Sequence, residues 1–318
     1  MRKIFGLCFI LCVFLASCGA KPAASAAVFP AGYYDTPTAG PLPKMTDTPI
    51  ATASLPAATA TSPLPTATNE PARDPEDWEN WPVIPEAVSA ELKTLYREGI
   101  TAGNDPHRFS KIGDCQNVES YFLSHLDKND YSLPEGQEYL QETIEWYAGS
   151  WKRDSYAVRG GLNAAAALTS YWLGDACDPE KYNNPIACEL GEYKPAVALI
   201  SFEENWDGNV VKYDKYTRKI IDYVLEQKIV PILAFSANNA TLNAHLAVIA
   251  VDYNLPVWNL WKAVYPLPDH GLADGFHLTH DKALKNYNFA DGVQSGWEAR
   301  NLTALQAIDA VRKMLSED

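Results

Sequence analysis

Positive charge is scarce in this 318-residue chain: 26 Lys and Arg stand against 40 Asp and Glu, a net charge of −14. A nucleic-acid binder needs a basic surface to neutralise phosphates, so the charge argues against that class and against electrostatic docking on anionic lipid. The chain also lacks the runs of about 20 apolar residues that a polytopic membrane protein needs. Its composition fits neither collagen nor a coiled coil. Apolar residues make up 47%, enough for a substantial core. At roughly 100–200 residues per domain the length allows one or two domains. An enzyme, a binding module and an inert surface protein all remain open.

The N-terminus reads as an address. Arg2 and Lys3 precede an apolar run from Ile4 to Ala16, too short to span a bilayer. A charged start, a short apolar core and a small-residue exit describe a secretion signal over residues 1–17. The exit, Leu15-Ala16-Ser17-Cys18, resembles the bacterial lipobox. That resemblance implies cleavage before Cys18 and a diacylglyceryl group on its sulfur. The expected location is the extracytoplasmic face of a bacterial membrane or the cell surface, held by an N-terminal lipid alone. Residues 18–76 are dominated by Ala, Thr, Pro and Ser, with ten prolines from Pro30 to Pro75. Such chain cannot bury enough apolar surface to fold and serves as a tether, roughly 40 Å long as a flexible coil. The acidity therefore belongs to the remainder: residues 76–318 hold 21 Lys and Arg against 36 Asp and Glu.

Residues 77–318 suit one large α/β domain. Val88, Leu92, Leu95 and Tyr96 share a helical face, as do Tyr213, Tyr216, Ile220 and Val224, and then Leu302, Leu305, Ile308, Val311 and Leu315. Between such helices lie apolar runs of strand length: Phe109–Ile112, Ala196–Phe202, Ile229–Phe235, Pro256–Leu260 and a weaker Ser155–Val158. Strands separated by helices predict a parallel sheet covered on both faces, with chemistry at the carboxyl ends of the strands.

Three of the six cysteines remain in this domain: Cys115, Cys177 and Cys188. Three single disulfides are available to them. An oxidising compartment and the short polar loop between Cys177 and Cys188 favour that pair, with a stabilisation of about 2–3 kcal/mol on the chain-entropy account. Cys115 is then left as a thiol, either buried and inert or reactive.

Its neighbours bear on that choice. The first strand runs into Gly113-Asp114-Cys115, a Gly-Asp pair ahead of a residue able to act as nucleophile. Gly160-Gly161-Leu162-Asn163 follows the second strand, Glu203-Glu204-Asn205-Trp206 follows the third, and Asp274-Gly275-Phe276-His277 comes late in the chain. In this order the blocks resemble those of the SGNH/GDSL hydrolases: Gly-Asp-Ser, a glycine, Gly-x-Asn-Asp and Asp-x-x-His. The resemblance spans most of the domain. It implies a three-layer α/β/α fold around a doubly wound, flavodoxin-like parallel sheet of about five strands. It further implies hydrolysis of ester bonds, with Cys115 as nucleophile, His277 as general base and Asp274 orienting that base. The oxyanion donors would be the backbone N–H of Cys115, that of Gly161 (or Gly160) and the side-chain amide of Asn205. No cofactor or metal is implied. Small esters or acylated surface carbohydrate are the substrates expected.

This chain departs from the pattern twice. Cys115 replaces serine; a thiol beside an imidazole also performs acyl transfer. Glu203 and Trp206 replace the glycine and aspartate of the third block, and a carboxylate facing the oxyanion would oppose the developing charge. Other readings use the same residues. Cys115 could be a small core residue, and Asp274 a turn residue. Asp269, His270, Asp274, His277, His280 and Asp281 could gather a divalent ion, although their spacing matches no recognised ligand signature. The domain as a whole could be a non-catalytic binding module for glycans or cell-surface polymers. Of the tryptophans, Trp172 and most others read as core, whereas Trp206 falls at the expected cleft.

Overall fold

A computed structural model of the chain describes residues 73–202, 208–280 and 287–317. The chain divides into two units, Met1–Thr66 and Ala67–Asp318. The first lies outside the described residues, and with it Cys18 and nearly all of the tether. Glu203, Asn205, Trp206 and Asp281 also lie outside them.

The second unit is built from helices α1 (Ala90–Thr101), α2 (Leu140–Trp146), α3 (Pro185–Tyr193), α4 (Val210–Glu226), α5 (Ala240–Asp252), α6 (Leu260–Val264) and α7 (Gly296–Ser316). Its strands are β1 (Asp105–Gly113), β2 (Tyr131–Ser132), β3 (Pro195–Ser201), β4 (Val230–Ala234), β5 (Val257–Trp258) and β6 (Tyr287–Asn288). Local chemistry sets the helix starts. The apolar face of α1 extends back to Val88, yet the helix begins at Ala90 because the Ser89 hydroxyl caps it by accepting from Leu92 N–H. Asn184 followed by Pro185 starts α3, and a Ser295/Glu298 capping box starts α7.

The main sheet is parallel, in the order β1-β3-β4-β5, with helices on both sides. All seven residues of β3 are buried, as a strand covered on both faces requires. The short strands β2 and β6 pair separately, also in parallel. The weak strand expected over 155–158 shrinks to a single bridge between Val158 and Gly113. There the Ser155 hydroxyl accepts from Ala157 N–H and the Ser155 carbonyl from Val158 N–H. Those two bonds fold the segment into a turn before it can extend. The sheet therefore has four strands plus this bridge on the outer side of β1. Counting the bridge as the second strand in sequence gives the order 2-1-3-4-5, the flavodoxin-like doubly wound arrangement. The strand order reverses between β1 and β3, and ligands of such sheets bind at that point.

Candidate active site

The switch point lies where Gly113 of β1 pairs with Ser201 of β3. Nothing larger than glycine fits at 113. An added Cβ would stand 2.0 Å from the Ser201 carbonyl oxygen and 2.2 Å from Asn117 Nδ2. Asp114 then caps a tight turn, Cys115–Asn117, by accepting from Gln116 N–H at 3.1 Å. The turn holds Cys115 half-buried just beyond the strand end. Below it, Asn117 Nδ2 donates to the Ser201 carbonyl at 2.9 Å. Arg300 of α7 donates to Asn117 Oδ1 at 3.2 Å and to the Ser201 hydroxyl at 3.1 Å. This guanidinium is fully buried, 4.6 Å from the centre of the Phe122 ring and 5.2 Å from that of Trp258. One cation thus ties the Cys115 turn, β3 and α7 together under the sheet edge.

Gly160 is the neighbour across the thiol. A Cβ built on it would lie 3.8 Å from that of Cys115. Gly161 follows it, and both are exposed. The segment is fixed to β1 by the bond from Gly113 N–H to the Ala157 carbonyl, at 3.0 Å.

Asp274 and His277 occupy a short hairpin closed by the Leu272–Leu278 bridge. Asp274 Oδ2 meets His277 Nδ1 at 2.8 Å, while Oδ1 accepts from His277 N–H at 2.7 Å and Phe276 N–H at 3.0 Å. The His277 side chain first, and then these two amides, hold the Asp274 carboxyl down to about 2. With a carboxylate on Nδ1, proton transfer by this ring would run through Nε2. The pair is exposed, its side chains 64% and 57% accessible.

The foot of this hairpin is firmly held. Thr279 donates its N–H and hydroxyl to the Gly271 carbonyl, and its own oxygens accept from the N–H groups of Gly296 and Trp297. Just past β4, Asn238 Nδ2 donates to the Phe276 carbonyl at 3.0 Å. The hairpin is therefore moored to the carboxyl end of β4 and to the start of α7. Gly296 and Arg300 are four residues apart, roughly 6 Å along the helix. One turn of α7 thus serves both the hairpin and the Cys115 turn.

The structure brings together Cys115 with Gly160, and Asp274 with His277. Cys177 and Cys188 form a disulfide with Cα atoms 5.9 Å apart, which leaves Cys115 outside it. Among the described residues the rival metal cluster is not gathered, and Asp281 lies outside them. His270 Nδ1 bonds the Tyr265 carbonyl and its ring stacks on that tyrosine, and among the described residues no three His, Cys, Asp or Glu side chains converge. Sequence reasoning missed Asn117, Asn238, Thr279 and Arg300. Asn117 offers a weak signal, two residues beyond the thiol; the other three belong to no motif.

No protein-family model and no curated protein matches this chain. Among solved structures, a GDSL-like lipase from Bacteroides thetaiotaomicron aligns over 70% of this chain and 98% of its own, at 16% identity and a TM-score of 0.39. A two-domain esterase active on acetylated mannans aligns over 70% and 55%, at 15% and 0.36. Likenesses at these TM-scores carry no weight for chemistry, which has to come from the chain's own residues.

Proposed function

We propose that this protein is an exported, lipid-anchored hydrolase of ester bonds working through Cys115, His277 and Asp274. The observation that carries the reading is the Asp274–His277 pair, moored to the same turn of α7 that holds the Cys115 turn at the switch point. In this mechanism His277 Nε2 takes the thiol proton and the Cys115 sulfur adds to the ester carbonyl carbon. The C–O bond then breaks as Nε2 returns the proton to the leaving alkoxide. Water, deprotonated by the same nitrogen, cleaves the resulting thioester and releases the acid, and Nε2 passes its proton back to the Cys115 sulfur. The backbone N–H of Cys115 and that of Gly161 (or Gly160), with the Asn205 amide, would receive the oxyanion. The substrate class is a small ester or an acylated carbohydrate. Export and anchoring rest on the Arg2-Lys3 start and on Leu15-Ala16-Ser17-Cys18; the disulfide is in keeping with an oxidising compartment.

Hydrolysis of p-nitrophenyl acetate by the purified protein, lost in Cys115→Ala and in His277→Ala, is the expected result. No turnover in the wild type, with glycan binding intact in Cys115→Ala, identifies the binding module instead. For the anchor, membrane fractionation of the bacterially expressed protein should be abolished by Cys18→Ala.

A further inference from the structure

A cleft of about 620 Å³ opens between the segment that follows Gly161 and the outer face of α4. It is lined by Asn163, Thr169, Trp172, Tyr216, Lys219 and Tyr223, with small apolar side chains between them. Its volume is that of a small-molecule site. Trp172 expected as core is instead half-buried here, and its neighbour Tyr171, 88% exposed, stands edge-on to it at the rim.

Some polar groups of the cleft are spent: the Thr169 hydroxyl donates to the Ala166 carbonyl at 2.8 Å, and the Lys219 ammonium lies 5.8 Å from the centre of the Tyr216 ring. Asn163 uses Oδ1 to accept from Ala166 N–H. Among the described residues its Nδ2, the hydroxyls of Tyr216 and Tyr223, and the Lys219 ammonium have no hydrogen-bond partner in the protein. Flat rings with a fringe of donors and acceptors match one kind of ligand. A pyranose presents an apolar C–H face to an aromatic ring and hydroxyls around its edge. An alkyl chain would strip water from all four groups and return no hydrogen bond.

The cleft is also a near neighbour of Cys115. A Cβ at Gly160 would touch Cys115, and one at Gly161 would stand 3.6 Å from the tip of Trp172. With adjacent Cα atoms 3.8 Å apart, the tip of the Trp172 ring lies at most roughly 16 Å from the thiol. We propose that this cleft is a carbohydrate subsite, in which a sugar ring stacks on Trp172 and hydrogen-bonds Asn163, Tyr216, Tyr223 and Lys219. It rests on the proposed esterase only in making that sugar the carrier of the ester; binding itself does not require catalysis.

The test is titration calorimetry on the full chain carrying Cys115→Ala, with oligosaccharides of four to six mannose, xylose, glucose or N-acetylglucosamine units. One or more should bind and quench tryptophan fluorescence. Trp172→Ala and, independently, Tyr216→Ala should weaken that binding about tenfold or more. No binding by any of the four at millimolar concentration overturns the proposal, as does binding untouched by both substitutions. Decanoate binding that depends on Trp172 overturns it in favour of an acyl pocket. Oligosaccharide binding lost in these variants, in a wild-type protein with no esterase activity, keeps the subsite and retires the enzyme. Esterase activity without oligosaccharide binding does the reverse.

Discussion

The two halves of the candidate site are held in opposite ways. The Cys115 turn rests on Asp114, Asn117 and Arg300, all fully buried. The Asp274–His277 hairpin stands in solvent; among the described residues it is fixed at its foot, by Thr279 and Gly296, and at one carbonyl, by Asn238. A nucleophile built into the core comes prepositioned with the fold, at a cost in stability whenever its support is disturbed. A base on an exposed hairpin can be altered without touching the core. Substitutions in the buried support of Cys115 should therefore report as stability, and those in the hairpin as activity.

The largest effect is expected at Arg300. Truncation to Ala removes a buried cation that two polar groups and the surrounding rings accommodate. The truncation leaves a cavity and takes a donor from the Asn117 and Ser201 oxygens, so a loss of about 2–5 kcal/mol is expected, read by urea denaturation. A variant within 1 kcal/mol of the wild type would break the contrast at its stronger end.

Gly296→Ala probes the joint between the halves. Its Cβ would stand 2.2 Å from the Gly271 carbonyl oxygen, a backbone atom that cannot swing away. The expected cost is about 1–3 kcal/mol, with the hairpin displaced. Esterase turnover should fall more than stability alone accounts for, whereas the far-UV spectrum should be kept. Turnover equal to wild type would mean that this mooring does not position the base.

His277→Ala should show the opposite signature. On so exposed a side chain the stability change should stay within about 0.5 kcal/mol. Ester turnover should nevertheless drop by about 10²–10⁴, the usual worth of a general base, and iodoacetamide should alkylate Cys115 more slowly than in the wild type. Unchanged alkylation together with unchanged turnover would sink the Cys115–His277 partnership while leaving the fold untouched.

This contrast also accounts for what could be read in the sequence. The strands of the sheet are visible as apolar runs because burial on both faces demands them, and Asp274-x-x-His277 is visible because a short hairpin keeps its partners close in sequence. The order of blocks even locates the switch point. Arg300 is invisible, because its partners Asn117 and Ser201 lie 183 and 99 residues away and only the sheet brings them together. The strand expected at 155–158 fails for a local reason, the Ser155 turn, which the alternation of apolar residues does not register. Trp172 looks like core because the tryptophans of the domain flank predicted strands and helices; only the tertiary structure shows it half-buried in a cleft it shares with α4.

The smallest expected effect concerns the ionisation of Asp274, and it sharpens the comparison at the exposed end. Its folded value of about 2 lies below the ordinary 3.8. A depressed carboxyl contributes fully above its unfolded value, so the hold on His277 should be complete above about pH 4 and lost as the pH falls through about 2. The side chains are exposed, so global stability should hardly register the change; the hairpin should. In carbon-detected NMR, the Asp274 carboxyl should titrate near 2, and the amide protons of Phe276 and His277 should shift with it. Asp274→Asn should abolish that titration and leave the imidazole less firmly oriented, with turnover at pH 7 reduced although the melting temperature is retained. A carboxyl that titrates at its ordinary value would mean that the hairpin does not hold His277 in solution, and the base would then need another orienting partner.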